Sequence, residues 1–435
     1  MQHRNAQFLA SLRWGYIKGA QVLNVSATAP LMLPALICKK LGISTKLVFN
    51  TMFLLICGCT PITQNFWQAH QDYQRFDYPN AIAKFRQDEN RQDENQVFYN
   101  LHLAQAALEG GDVWDAKRSL TTATQIMTST AGNSRGALSL VSAERLKLFK
   151  GEPFEKAMAF LYLGLIYYNE ADYQNARAAF SQALLMDKQA QRGFDEDLRL
   201  VYYLLAKTYL RLQDPANAAI AMNKANQRNP QEPYPANPYY DLELAEQTVV
   251  TILVGLGQVP LKVRQGPGAS LDTFVPRKTP EAHVQLHWGG QNLGYGVLAL
   301  DLNYEAQHRG SSGKDSVQAA KGVARDAALV TAAVSDNEKV QLGALLFALT
   351  NQSQADIRQW ESLPASLHLL RIRRPNPMPA QTHQTLQLAF ADAQQRWLPN
   401  FRQVWYDFPM FDPPDQILWF RAGAYKGFKA KEVTK

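Results

Sequence analysis

His283 and His287 stand four residues apart, the spacing that places two imidazoles over one metal ion on a helix. The surrounding run HVQLHW alternates apolar and polar residues, which predicts a strand instead. On a strand the two rings share a face about 13 Å apart, too far to share an ion. With no Glu between them, both read as surface histidines and no metal is expected. Gly255-Leu256-Gly257 follows an apolar run, but the third glycine of a nucleotide loop is absent and Pro260 intervenes, so a strand-to-strand turn is expected. The chain contains no G-x-S-x-G, and Glu152 and Glu155 flank Pro153 where carboxylates suit the positive end of a helix. No catalytic residue and no cofactor is therefore assigned.

The aromatic and charged residues suggest recognition more than reaction. Asp356-Ile357-Arg358-Gln359-Trp360-Glu361-Ser362-Leu363-Pro364 can form a structural latch, Asp356 and Arg358 sharing a face and pairing with the sheet edge or helix hairpin while Trp360 and Leu363 anchor a returning strand. A ligand pocket around Arg358 and Trp360 is the second reading. Tyr168 and Tyr203, with other tyrosines between Tyr162 and Tyr209, either pack between helices or line a groove for a partner.

The elements that must position these residues are helical. From Gly151 to Pro230 two halves obey one rule. Phe160, Leu163, Gly164, Tyr167, Ala176, Phe180 and Ala183 in the first are matched by Tyr202, Leu205, Ala206, Tyr209, Ala218, Met222 and Ala225 in the second. The pattern resembles tetratricopeptide repeats. Asp77, Asp112, Asp172 and Asp214 extend it to four units, each Asp placed to cap a helix. Ala81, Ala116, Ala176 and Ala218 follow four residues later, and Phe85, Leu120, Phe180 and Met222 eight residues later. At the eleventh place Asp88 breaks a series continued by Ala123, Ala183 and Ala225. The tandem RQDEN-RQDEN (Arg86 to Asn95) reads as a solvated helix end or loop and not as a site. Ala137 to Phe149 reads as one extra helix.

Four prolines between Asn229 and Pro238 end the helical pattern. Beyond them, β-branched and alternating runs at Thr248 to Val254, Val259 to Arg264, Val284 to Leu286, Leu298 to Leu302, Leu367 to Ile372, Leu386 to Phe390 and Ile417 to Phe420 predict strands. Helical runs at Asp315 to Ala333 and Asn337 to Leu349 accompany them. The expected fold is α+β: a tetratricopeptide-like all-α array over 59–230, a Pro-rich linker over 231–245, and a smaller α+β domain over 246–435 with a small sheet under a helical hairpin.

The net charge is +7, yet residues 1–58 hold six basic residues and no acidic one, leaving 39 basic against 38 acidic beyond. Basicity confined there argues against a nucleic-acid partner. All three cysteines, Cys38, Cys57 and Cys59, lie in or at the end of that segment. Lys39, Lys40 and Lys46 precede a short apolar run ending Ile56-Cys57-Gly58-Cys59, which reads as a secretory signal and resembles a bacterial lipobox with Cys59 as the lipidated residue. Translation from Met32 would give a leader of ordinary length. The motifs Gly151-Glu152-Pro153-Phe154-Glu155 and Asp356 to Pro364 resemble those of an uncharacterised family of bacterial outer-membrane lipoproteins with tetratricopeptide-like repeats. That resemblance implies a protein lipid-anchored to the outer membrane and facing the periplasm, without established catalytic residues or cofactor. The function expected is a non-enzymatic scaffold binding another envelope protein through a helical groove. The alternative is a cell-wall hydrolase with its site in the C-terminal domain.

Overall fold

The computed structural model describes residues 62–129, 148–190, 198–227, 248–266, 269–308, 355–373, 383–401, 403–409 and 415–422, with helical pieces at Val323, 326–331 and Val340. Cys59, the Pro-rich linker, residues 137–147 of the extra helix, and most of the two helical runs after residue 314 lie outside the described residues.

Among the described residues eight helices form four hairpins: α1 (Gln64–Gln74) with α2 (Tyr78–Asp88), α3 (Gln96–Gly110) with α4 (Val113–Thr128), α5 (Pro153–Asn169) with α6 (Tyr173–Asp187), and α7 (Arg199–Arg211) with α8 (Pro215–Asn226). The second helix of each hairpin starts in the same way. The side chains of Asp77, Asp112, Asp172 and Asp214 accept from the backbone N–H three residues on, satisfying a donor that the helix cannot. The alanines four residues later have no exposed surface. Each first helix also ends in one way: Phe76, Gly111, Ala171 and Gln213, the residue before each Asp, has positive φ. The following N–H then reaches back five residues to a carbonyl of the preceding helix. Close approach is greatest at Gly164, where an added Cβ would lie 2.5 Å from the Phe180 ring.

After the repeats come β1 (Thr248–Leu256), β2 (Leu261–Gln265), β3 (Leu271–Val275), β4 (His283–Trp288), β5 (Gln291–Tyr295), β6 (Val297–Asp301), α9 (Leu302–Gln307), β7 (Ser366–Arg373), β8 (His383–Ala391), β9 (Gln403–Pro409) and β10 (Gln416–Arg421). They make two four-stranded sheets and a two-stranded ribbon instead of one small sheet. The first sheet has order β10-β1-β7-β6, with β10 parallel to β1 and the other neighbours antiparallel. The second has order β5-β4-β8-β9, all antiparallel, and β2 pairs with β3 alone.

Strand periodicity stacks these sheets. Side chains alternate across a strand, so a strand buried on both faces is apolar nearly throughout. In β1, Val250, Ile252, Val254 and Leu256 join Val284, Leu286, Leu386, Leu388 and Phe390 of the second sheet in one core. Leu253, facing the other way, belongs to the core shared with the repeats. β7 divides likewise, Leu370 and Ile372 to one side and Leu367 and Leu369 to the other. The result is three layers: repeats, first sheet, second sheet. Among the described residues no helix is long and apolar enough to cross a membrane.

Candidate functional site

The first helices of the hairpins present a face that a repeat array commonly offers to a partner. Here it is filled by the chain's own strand region. Trp360 is fully buried there, edge-on to Tyr162 with ring centroids 5.8 Å apart, and Trp419 meets Tyr162 at 4.8 Å. Leu363, Leu369 and Ile417 complete the apolar contact.

Three carboxylates fasten this interface. Glu155, one turn into α5, accepts from the backbone N–H groups of Trp360 and Glu152. Burial lifts its pKa to about 7, against the two backbone hydrogen bonds that favour the anion. Glu109, at the end of α3, accepts from Tyr73 at 3.0 Å, Tyr78 at 2.9 Å and Gln105 at 2.7 Å. Arg421 stands 3.9 Å away and donates to the carbonyls of Ser362 (3.0 Å) and Gly257 (2.6 Å). Burial raises the Glu109 pKa, and Arg421 is the main influence opposing it. Asp415, just before β10, receives Lys207 at 2.5 Å, Arg211 at 2.7 Å and the Tyr168 hydroxyl. Burial and Asp415 together hold the Tyr168 pKa well above its ordinary value.

Two further contacts fix register. The Asn169 amide grips β10 on its outer edge, donating to the Ile417 carbonyl at 2.6 Å and accepting from its N–H at 2.9 Å. Lys262, buried beside Phe274, pairs with Glu152 at 2.5 Å and Asp272 at 2.9 Å. Burial works against its charge, but the two carboxylates outweigh it and raise its pKa.

The sequence candidates divide accordingly. Arg358 pairs with Asp356 at 2.6 Å and also donates to Asn95 Oδ1 and the Glu94 carbonyl at 2.9 Å each. With Trp360 it forms a latch onto the repeats. Tyr168 and Tyr203 are buried beneath the strand region, Tyr203 lying under Arg371 at 5.8 Å. None of these four presents a surface to another protein. The tandem RQDEN is the helix end and loop expected of it and is mostly exposed or half-buried, but Asp88, Glu89 and Asn95 within it are buried. Asp88 accepts from Thr63 Oγ1 at 2.6 Å, which explains why a carboxylate stands where the other units have alanine. Arg118 binds Glu89 through both terminal nitrogens. Glu109, Lys207, Asp415 and Arg421 were not singled out by sequence reasoning. Lys207 alone left a trace, as a cation inside the apolar run Leu204-Leu205-Ala206.

His283 and His287 lie on β4, a strand, and among the described residues no three His, Cys, Asp or Glu side chains converge as metal ligands. Gly255-Leu256-Gly257 closes β1 and leads to β2 as a strand-to-strand connection.

Two stretches, residues 157–189 and 201–232, match the tetratricopeptide repeat family model. They coincide with the hairpins α5/α6 and α7/α8. No curated protein matches the chain. The matched repeats mark a helical scaffold of the kind that mediates protein–protein interaction.

Proposed function

We propose that this protein is a non-enzymatic scaffold of the bacterial cell envelope, held to the outer membrane by lipid on Cys59 and facing the periplasm, where it engages another envelope protein. The observation that carries the reading is the four-hairpin array, two hairpins of which match tetratricopeptide repeats. Because the strand region fills the inner face, the partner is expected on the outer helices. Exposed apolar side chains such as Trp114 (70% exposed) and Ile220 (61%) lie there. The lipobox-like Ile56-Cys57-Gly58-Cys59 supports the anchor.

The test combines fractionation with crosslinking in intact cells. Wild-type protein should sediment with outer membrane and take up a palmitate analogue, while Cys59→Ala should do neither. A photocrosslinker at Trp114 or Ile220 should give a discrete adduct, and one at Tyr203 should give none. Soluble cytosolic wild-type protein would end the anchor, and adducts from Tyr203 alone would end the outer-face reading.

A further inference from the structure

The second sheet buries one face in the apolar core, and its other face is half-buried, with Gln285 nearly covered. Its inward residues, Val284 and Leu286 on β4 and Leu386 and Leu388 on β8, belong to the apolar core. The intervening residues Gln285, His287, Gln387 and Ala389 line a cleft on the opposite face, with a volume of about 340 Å³. That is at the small end of the range for ligand sites, about 300–1,000 Å³. His287 and Gln387 are direct cross-strand partners, as are Gln285 and Ala389. His287 Nε2 donates to Gln285 Oε1 at 3.0 Å, which leaves the NH₂ group of Gln285 for donation elsewhere.

Trp397 forms one wall and is half exposed. Its position is fixed by the turn before it. Asp392 Oδ1 accepts from the N–H groups of Gln394 at 3.0 Å and Arg396 at 2.9 Å, and Oδ2 accepts from Arg396 Nε at 2.8 Å. Trp397 then bridges back to Ala391, and the Leu398 N–H donates to the Phe390 carbonyl at 2.8 Å. The backbone on both sides of Trp397 is thus held to the sheet by this turn.

An aromatic wall beside two amides and an imidazole, with no carboxylate, lysine or arginine among the described lining residues, suits an uncharged ligand with one apolar face and many hydroxyls. We propose that this cleft binds a neutral saccharide. The C–H groups on one face of a pyranose carry slight positive charge and meet the negative face of the indole. The ring hydroxyls then exchange hydrogen bonds with Gln285, Gln387 and His287, groups that both donate and accept. The site is independent of the scaffold reading, since it lies on the sheet layer farthest from the repeats.

The test uses the full-length chain with two neutral probes: cellotetraose, which offers only hydroxyls, and the tetramer of N-acetylglucosamine, which adds acetamido groups. Saturation-transfer NMR should show contact to the pyranose ring protons of at least one probe, and titration calorimetry should give its Kd. Trp397→Ala should weaken that affinity tenfold or more. Trp397→Phe should keep most of it, and Gln387→Ala should lower it several-fold with the thermal transition unchanged. Should Trp397→Ala fail to fold, the Gln387→Ala result decides. Absence of saturation transfer with both probes, or an affinity indifferent to Trp397→Ala and Gln387→Ala, overturns the proposal.

Discussion

The two faces of the first sheet meet their neighbours by different physics. Toward the second sheet the contact is largely an apolar core of Val, Ile, Leu and Phe. Toward the repeats a comparable apolar core is interrupted by Glu155, held by backbone N–H groups, and by Glu109 and Asp415 with their cationic and hydroxyl partners. Apolar packing is non-directional and tolerates sliding. A buried carboxylate whose lone pairs are all used tolerates only one arrangement, because any slip leaves charge without a partner. The sandwich therefore supplies cohesion, and the repeat-facing side supplies orientation. Because buried ion pairs often add little net stability, their value here is read as specificity.

The largest effect is expected at Asp415. Asp415→Asn keeps the side-chain shape in a left-handed backbone (φ 61°) but strands Lys207 without its anion, and should cost about 3–5 kcal/mol in denaturant unfolding. Adding Lys207→Met should recover most of that loss. If the double variant is as unstable as the single, the charge pair is not what Asp415 contributes. On the other face, Leu388→Ala should cost about 2–5 kcal/mol, and no second substitution of a charged residue should rescue it.

Acidity separates the faces further. The folded-state pKa of Glu155 is about 7, above its ordinary 4.5, so the folded protein holds that proton more tightly. Stability from this group is full below about pH 4.5 and falls by up to about 3 kcal/mol as pH rises through 7. His368, buried in the first sheet, is pushed down to about 4 from 6.5, so its contribution is present above 6.5 and lost on acidification through 4. The two slopes oppose one another between about pH 4.5 and 6.5. Thermal melts of Glu155→Gln across this range should show the acid-side loss uncovered, with Tm rising steadily toward neutral pH. A profile identical to wild type would mean that Glu155 does not titrate there.

Within the array, Ala218→Leu should overpack a closed helix contact by about 1–3 kcal/mol, measured as a lowered denaturant midpoint. The smallest effect is a gain. Ala171 takes φ 59° at the hairpin turn, and Ala171→Gly should stabilise by under about 1 kcal/mol, since strain relief exceeds the added freedom of the unfolded chain only slightly.

The repeats were legible because their rules are local. An Asp cap, an alanine four residues on and an aromatic or aliphatic residue eight residues on all lie within one helix. The turn residues Phe76, Ala171 and Gln213 escaped notice because none is glycine, and the left-handed backbone is imposed by the helices on either side. Strands β1, β7 and β10 were legible as apolar runs. By contrast β3, β5 and β9 carry Thr, Asn, Gly, Asp or Pro, and although each pairs with the strand just before it, none shows as an apolar run. The carboxylate locks were invisible because they join residues far apart in the chain. Asp415 meets Lys207 across 208 residues, and no window of sequence contains both. Arg86 to Asn95 has no apolar residue, so nothing in it marked Asp88, Glu89 and Asn95 as buried; their polar partners come from Thr63, Arg118 and Arg358.

The parallel pairing of β10 with β1 has a consequence for biogenesis. Chains emerge from the ribosome in order, so the repeats and β1 through β9 are all made before the segment bearing Asp415, Ile417 and Arg421. Until that segment arrives, Lys207, Arg211 and Asn169 lack the counterparts they hold in the finished molecule, and one edge of β1 stays open. The nascent protein thus passes through a stage with an unpaired strand edge beside a half-covered groove, the kind of surface that chaperones occupy. Maturation ends with a single late strand sliding into place, and a chain stalled or clipped before residue 415 would be caught in that open state.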